Sequence, residues 1–248
     1  MLWLAARLRD LVAWLDLALF TLLMLVLSWL PLHWLSGWYP RLFRSWCRVF
    51  ARALRVQLRL HQHQTRRLPP RYILIANHPS AFEDIGIPAL FPVTSLAKAE
   101  VRRWWLVGRI AAAAGTLFVT RENKDSRQAA QGALIAAVHA GHNVALYPEG
   151  GCKGRRLWEK FLYGAFTVSL ETGIPIVPVF LHYEAQEAFE WADGETLLQK
   201  MWHILTAPNH VANYHVFDAF DPGQFAGRDH YAAHAHACFV AWQQRYLQ

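Results

Sequence analysis

Residues 72–86 read "YILIANHPSAFEDIG". The apolar run at 72–76 is short, aromatic and β-branched, as befits a buried strand. Asn77, His78 and Pro79 break it, and Glu83 and Asp84 then precede a helix-like stretch over 84–90. Acids in a first helical turn suit the positive end of the helix dipole, so the bland reading of this pair is a helix start. A histidine and two carboxylates at a strand end are nonetheless costly to cluster unless chemistry uses them. The same alternation runs outward along the chain. Apolar runs recur at 115–120, 143–150 and 174–182, separated by helix-like stretches at 98–113, 126–140 and 159–172. Strands alternating with helices predict an α/β domain, a mostly parallel sheet flanked by helices. A further strand is expected at 214–220 and a last helix at 227–247.

Before this domain the chain has another character. The 24 residues from Leu17 to Pro40 contain no Asp, Glu, Lys or Arg. About 20 apolar residues suffice to span a bilayer as a helix. Pro31 and "SGWYP" (36–40) interrupt the run, and arginines flank it on both sides. That pattern favours a re-entrant or monotopic hairpin with both ends cytoplasmic. No small-residue cleavage site follows, so the segment reads as an uncleaved anchor rather than a signal peptide. The next stretch, "RLFRSWCRVFARALRVQLRL" (41–60), spaces six arginines at steps of three and four. It reads as a basic amphipathic helix suited to anionic lipid, or as a core-facing helix with a solvated arginine stripe. The expected organisation is membrane-anchoring helices over 1–65 and an α/β domain over 66–248.

Composition agrees. Hydrophobic residues make up 54% of the 248 and charged residues 17%, with 12 tryptophans and a formal charge of +7. The charge implies an anionic partner. Nucleic acid is not expected, because the basic residues adjoin the apolar segment and no zinc-finger or RNA-recognition motif appears. The three cysteines form no CxxC pair and suggest a reducing compartment. The 13 histidines are scattered without a HExxH motif, and no metal site is expected.

Each apolar strand ends in polar residues: Asn77-His78, Thr120-Arg121 and Tyr147-Pro148-Glu149-Gly150. Open α/β sheets bind ligands beyond the carboxyl ends of their strands, so His78, Glu83, Arg121 and Glu149 are expected to converge. In order and spacing these blocks resemble the 1-acyl-glycerol-3-phosphate (lysophosphatidate) acyltransferases and the wider glycerolipid acyltransferase family. The likeness covers roughly residues 70 to 185. Asn77-His78 with Glu83 is similar to Asn-His-x4-Asp, with Glu in place of Asp. Gly115 to Arg121 resembles Gly-x-Ile-Phe-Ile-x-Arg, Tyr147 to Gly150 resembles Phe-Pro-Glu-Gly, and Ile176 to Val179 resembles the proline-containing apolar strand.

The resemblance implies a glycerol-3-phosphate acyltransferase-like fold and transfer of an acyl group to a lysolipid hydroxyl. It implies His78 as base and Glu83 as its orienter, with Asp84 next door as an alternative. Arg121 would bind an acceptor phosphate, and Asn77, Ser80, Glu149, Gly150, Gly151 and Lys153 would shape the substrate site. Acyl-CoA or acyl carrier protein would enter as co-substrate, with no cofactor, at the cytoplasmic face of a membrane whose lipids are partners. The third block departs from Glu-Gly-Thr-Arg-Ser, continuing Gly151-Cys152-Lys153-Gly154-Arg155-Arg156, and Phe161-Leu162-Tyr163-Gly164 lacks the lysine of Phe-Lys-x-Gly. These changes leave the acceptor headgroup open, and Cys152 admits a rival route through an acyl-enzyme. A thioester hydrolase using the same histidine, and a non-catalytic lipid-binding protein, are the other classes.

Overall fold

The computed structural model describes residues 2–120, 122–191 and 194–247. Its frame is a seven-stranded sheet, ordered β1-β7-β6-β2-β5-β3-β4. The strands are β1 (Gln57–Gln62), β2 (Ile73–Ala76), β3 (Thr94–Lys98), β4 (Leu117–Val119), β5 (Val144–Leu146), β6 (Ile176–Tyr183) and β7 (Val211–Val216). Every ladder is parallel except β6 with β7. The mostly parallel sheet expected from the sequence is therefore present, closed at one side by β7 and β1 running the other way.

Side-chain alternation builds a layer on each face. Leu74, Ala76, Ala145, Val177, Val179 and Leu181 point into one core. That core is covered by α3 (Tyr39–Ala53), α4 (Glu83–Leu90) and α5 (Val107–Ala113), with α8 (Gln186–Phe189) and α9 (Leu197–Thr206) beside them. Ile73, Ile75, Val144, Leu146, Ile176 and Phe180 point the other way, under α6 (Lys124–His139), α7 (Gly164–Thr172) and α10 (Arg228–Tyr246). Strands buried on both faces explain why the sequence shows apolar runs instead of alternation.

Outside α3 lies α1 (Leu2–Leu27), joined to it through the short α2 (Leu32–Leu35). The Trp46 indole donates to Thr21 Oγ1 at 2.8 Å and the Tyr39 hydroxyl to the Met24 carbonyl at 2.8 Å, so the two helices form an antiparallel hairpin. Arg52 pairs with Asp16, and Arg55 with Asp10. Arg48 donates to the Ala89 carbonyl at 2.8 Å. The basic helix is thus core-facing: Trp46, Cys47, Phe50 and Ala53 are buried, and Arg48 and Arg52, with Arg55 just past its end, have protein partners. Its apolar side therefore follows the core-facing reading. The exposed apolar face belongs to α1, where Leu8, Leu11, Leu15, Leu19 and Leu22 are each more than half exposed. It continues into Trp29, Trp34 and Trp38.

Three further expectations shift. The helix read through 41–60 ends at Ala53, and residues 57–62 pair with β7 as an edge strand, so the sheet begins inside the segment assigned to 1–65. The helix read over 98–113 is the last residue of β3, a 3₁₀ turn over Ala99–Arg103 and then, after a break, α5. The strand placed at 214–220 is β7, three residues earlier.

Candidate active site

The strand β2 delivers Asn77 and His78 to the carboxyl edge of the sheet, between β6 and β5. Asn77 extends the ladder one residue further with its side chain. Its amide donates to the Leu181 carbonyl and its oxygen accepts from the Leu181 N–H, both at 2.8 Å. Both ends of that amide are engaged with backbone, so Asn77 fixes the turn that follows. Ser80 is fully buried and does the same, donating to the Phe189 carbonyl at 2.5 Å and accepting from the Phe82 N–H at 3.1 Å.

The turn aims His78 at Glu83, the first residue of α4. His78 Nδ1 lies 2.6 Å from Glu83 Oε2, so the partner of this nitrogen is Glu83. Glu83 has no exposed surface. Its carboxylate also accepts the Ser80 N–H at 3.0 Å and the Tyr183 hydroxyl from the end of β6. Burial pushes the Glu83 carboxyl well above the usual range, and the hydrogen bonds from Tyr183 and Ser80 pull against that shift. Burial, reinforced by the Glu83 charge, pushes the Tyr183 phenol up as well, which keeps it a donor. Asp84 is half-buried, and its charge is felt at Tyr147 and Cys47. It also fits the acidic first turn of α4.

The imidazole is clamped in plane. The Tyr147 ring stacks on it with centroids 4.1 Å apart and planes 9° apart. Glu149 binds its backbone: Oε1 accepts the His78 N–H at 2.7 Å, while Oε2 accepts the Trp158 N–H at 2.9 Å. Burial raises the Glu149 carboxyl, and those two N–H groups oppose the rise. Glu149 therefore braces the β2 and β5 turns. After it, Gly150 has φ +74°, and a Cβ there would come within 2.5 Å of Leu162 Cδ1. The chain swings back so that the Lys153 N–H donates to the His78 carbonyl at 2.9 Å. The Lys153 ammonium lies 3.7 Å from the centre of the Trp158 ring. Between them, exposed Cys152 places Sγ 3.5 Å from His78 Nε2. One imidazole nitrogen is thus locked to a buried acid, and the other lies against the Cys152 thiol.

His78, Glu83 and Glu149 are brought together as expected, with Gly150 and Gly151 in the same turn. Arg121 lies outside the described residues; β4, the strand before it, is the sheet's outer strand beyond β5 and β3. Sequence reasoning missed Tyr183, which is 100 residues from its partner Glu83. It also missed the cations beyond the β5 turn. There a cavity of about 730 Å³ is lined by Tyr147, Pro148, Gly150, Lys124, Arg127 and Arg228. A larger cavity, about 1010 Å³, lies between α1, α3 and β1, away from His78. Among the described residues, no group of three or more His, Cys, Asp or Glu side chains is arranged to hold a metal ion.

Comparison with known proteins gives one consistent answer. A family model described as Acyltransferase matches residues 57–182. The lyso-ornithine lipid O-acyltransferase of Pseudomonas aeruginosa is 35% identical over 143 residues, covering 58% of this chain and 54% of that protein. The 1-acyl-sn-glycerol-3-phosphate acyltransferase of Neisseria gonorrhoeae is 25% identical over 115 residues, 46% of this chain and 45% of that one. These matches span about half the length of the curated relatives. In fold, the crystal structure of the 1-acyl-sn-glycerophosphate (LPA) acyltransferase PlsC from Thermotoga maritima aligns with a TM-score of 0.64 at 16% identity. That alignment covers 99% of this chain and 97% of the other.

Proposed function

Because the chain belongs to the Acyltransferase family, we propose that it moves a fatty acyl group from a thioester donor to the free hydroxyl of a lysolipid at a membrane surface. The observation that carries this reading is the His78–Glu83 pair, a base whose inner nitrogen is held by a fully buried carboxylate. With a proton on Nδ1, Nε2 can accept one from a substrate hydroxyl. The Glu83 charge then stabilises the imidazolium, as the acid of a hydrolase triad does. The hydroxyl oxygen attacks the thioester carbonyl, and the departing thiolate takes the proton back from His78.

Acyl-CoA or acyl carrier protein is the donor in this reading. Lys124, Arg127 and Arg228 around the neighbouring cavity suit an anionic portion of either substrate. The 35% identity to a lyso-ornithine lipid enzyme makes lyso-ornithine lipid the first acceptor to try. Leu162, standing where the resembled motif has lysine, agrees with an acceptor that carries no phosphate. Lysophosphatidate is the second. The exposed apolar face of α1, with Trp29, Trp34 and Trp38 after it, supports a membrane-associated enzyme working beside the lipid that carries the acceptor, in this reading on the cytoplasmic side.

The test is a panel of lysolipid acceptors against both donor carriers, read by mass spectrometry. His78→Ala is expected to lower transfer at least about 1000-fold, with unchanged melting and vesicle binding. Undiminished transfer by that variant overturns the assignment.

A further inference from the structure

We propose that Cys152 is the nucleophile of a covalent first half-reaction, so that the acyl group passes through an S-acyl enzyme before reaching the lipid hydroxyl. The inference rests on the acyltransferase reading above and adds a step to it. Its basis is a line of three groups. Cys152 Sγ is 3.5 Å from His78 Nε2, and Nδ1 of the same ring is 2.6 Å from Glu83. Nucleophile, base and orienting acid in hydrogen-bond sequence are the arrangement by which thiols and hydroxyls are activated for acyl transfer.

The contact is built into the backbone. On one side of the thiol, Glu149 accepts the His78 N–H; on the other, the Lys153 N–H donates to the His78 carbonyl. These two links tie the loop 149–153, which carries Cys152, to the residue that serves as base. The other cysteines differ. Cys47 is fully buried, and burial pushes its thiol well up. Cys238 is half-buried, and burial pushes its thiol up too. Cys152 alone of the three is exposed. Direct transfer needs the acceptor hydroxyl against Nε2, the position this thiol faces. A thiol is a stronger acid than an aliphatic alcohol and its anion is the better nucleophile, so the base meets the thiol proton first.

Both half-reactions balance without a cofactor. His78 Nε2 takes the Cys152 proton, and Sγ adds to the carbonyl of the donor thioester. The carbon–sulfur bond to the carrier breaks, and the carrier thiolate leaves with the proton from His78. One thioester has replaced another. The lysolipid hydroxyl then loses its proton to His78 and attacks the Cys152 thioester. That carbon–sulfur bond breaks, and Sγ recovers the proton. Glu83 holds Nδ1 through each half.

The full-length protein in detergent is mixed with palmitoyl-CoA or palmitoyl-acyl carrier protein, without acceptor, and quenched in acid. The expected result is a mass increase of one palmitoyl group, removed by hydroxylamine and mapped to Cys152. Adding lyso-ornithine lipid or lysophosphatidate should discharge it at a rate no slower than kcat. Cys152→Ala should lower turnover at least about 100-fold, with unchanged melting because the side chain is exposed. Cys152→Ala with half or more of wild-type turnover overturns the covalent step while leaving the acyltransferase reading intact. So does wild-type turnover with neither adduct nor a burst of released carrier thiol. A wild-type protein that transfers to no acceptor overturns the acyltransferase reading and the intermediate with it.

Discussion

At the scale of single residues, Glu83 carries the main conflict between stability and chemistry. A carboxylate with no exposed surface is expensive to ionise, and burial drives its proton affinity up despite the Tyr183 and Ser80 donors. The sign of the linkage follows. A folded pKa above the unfolded one gives stability that is full below the unfolded value and is lost as pH rises through the folded value. Ionising Glu83 therefore weighs against the fold while serving the base. Glu83→Gln separates the two. The amide oxygen can take the place of Oε2, accepting from His78 Nδ1 and the Ser80 N–H, and the Tyr183 hydroxyl can turn to accept from the amide nitrogen. Geometry is then kept and charge is lost. The expected outcome is a kcat lower by about 100-fold or more, little change in KM, and a melting temperature at pH 7 equal to or above that of the parent. Calorimetry and initial rates check both parts; a melting temperature well below the parent would mean that the charge holds the fold together.

At the scale of elements, legibility depended on whether a signal was local. Strands β2, β5 and β6 were visible as apolar runs because both their faces are covered. The end of α3 was not visible. Arg55 sits at φ 61°, the Val56 N–H donates to the Ala51 carbonyl and the Arg55 N–H to Arg52, a helix-ending turn that usually announces itself with glycine. With arginine there, the helical spacing seemed to run on into β1. Strand β3 hid for another reason: its buried positions are Ser95 and Ala97, too small and polar to stand out. In the site, His78, Glu83 and Glu149 were legible because strand ends collect in α/β sheets, whereas the Tyr183 contact needs the β6–β2 register. Sequence also shows the amphipathicity of α3 without saying whether its apolar face meets protein or lipid. The exposed leucines of α1 make a membrane contact through that helix testable. Leu11, Leu15 and Leu22 are 65%, 57% and 58% exposed, so Leu11→Asp, Leu15→Asp and Leu22→Asp together disturb little packing. Burying each leucine in lipid is worth about 1.5–3 kcal/mol. The triple variant should float with anionic vesicles at least about tenfold less than the parent, with an unchanged circular dichroism spectrum. Equal flotation would remove α1 from the membrane contact.

At the scale of the whole molecule, the sheet gathers histidines that lie far apart in sequence. His61 from β1, His63 just past its end, His182 from β6 and His215 from β7 lie together under Tyr246 of α10. His215 stacks on Tyr246 with centroids 3.9 Å apart, and His63 Nε2 lies 3.0 Å from His215 Nδ1. Burial lowers His63, His182 and His215, the last to about 3, and the neighbouring rings and Arg245 add to the effect on His215. Glu184 pulls His182 the other way, while Arg155 supports its lowering. A histidine pKa below its unfolded value near 6.5 gives stability that is full above that value and is lost as pH falls towards the folded one. The sign is opposite to that of Glu83, so the two are separable by mutation. His215→Phe keeps an aromatic ring in the stack and removes the proton site, in a region away from His78. The parent's unfolding temperature should fall by about 3 °C or more per pH unit between pH 6.5 and 5, whereas the variant's should fall less steeply, with acyl transfer at pH 7.5 unchanged. Scanning calorimetry across that range decides the matter: parallel curves for the two proteins would show that acid sensitivity arises elsewhere.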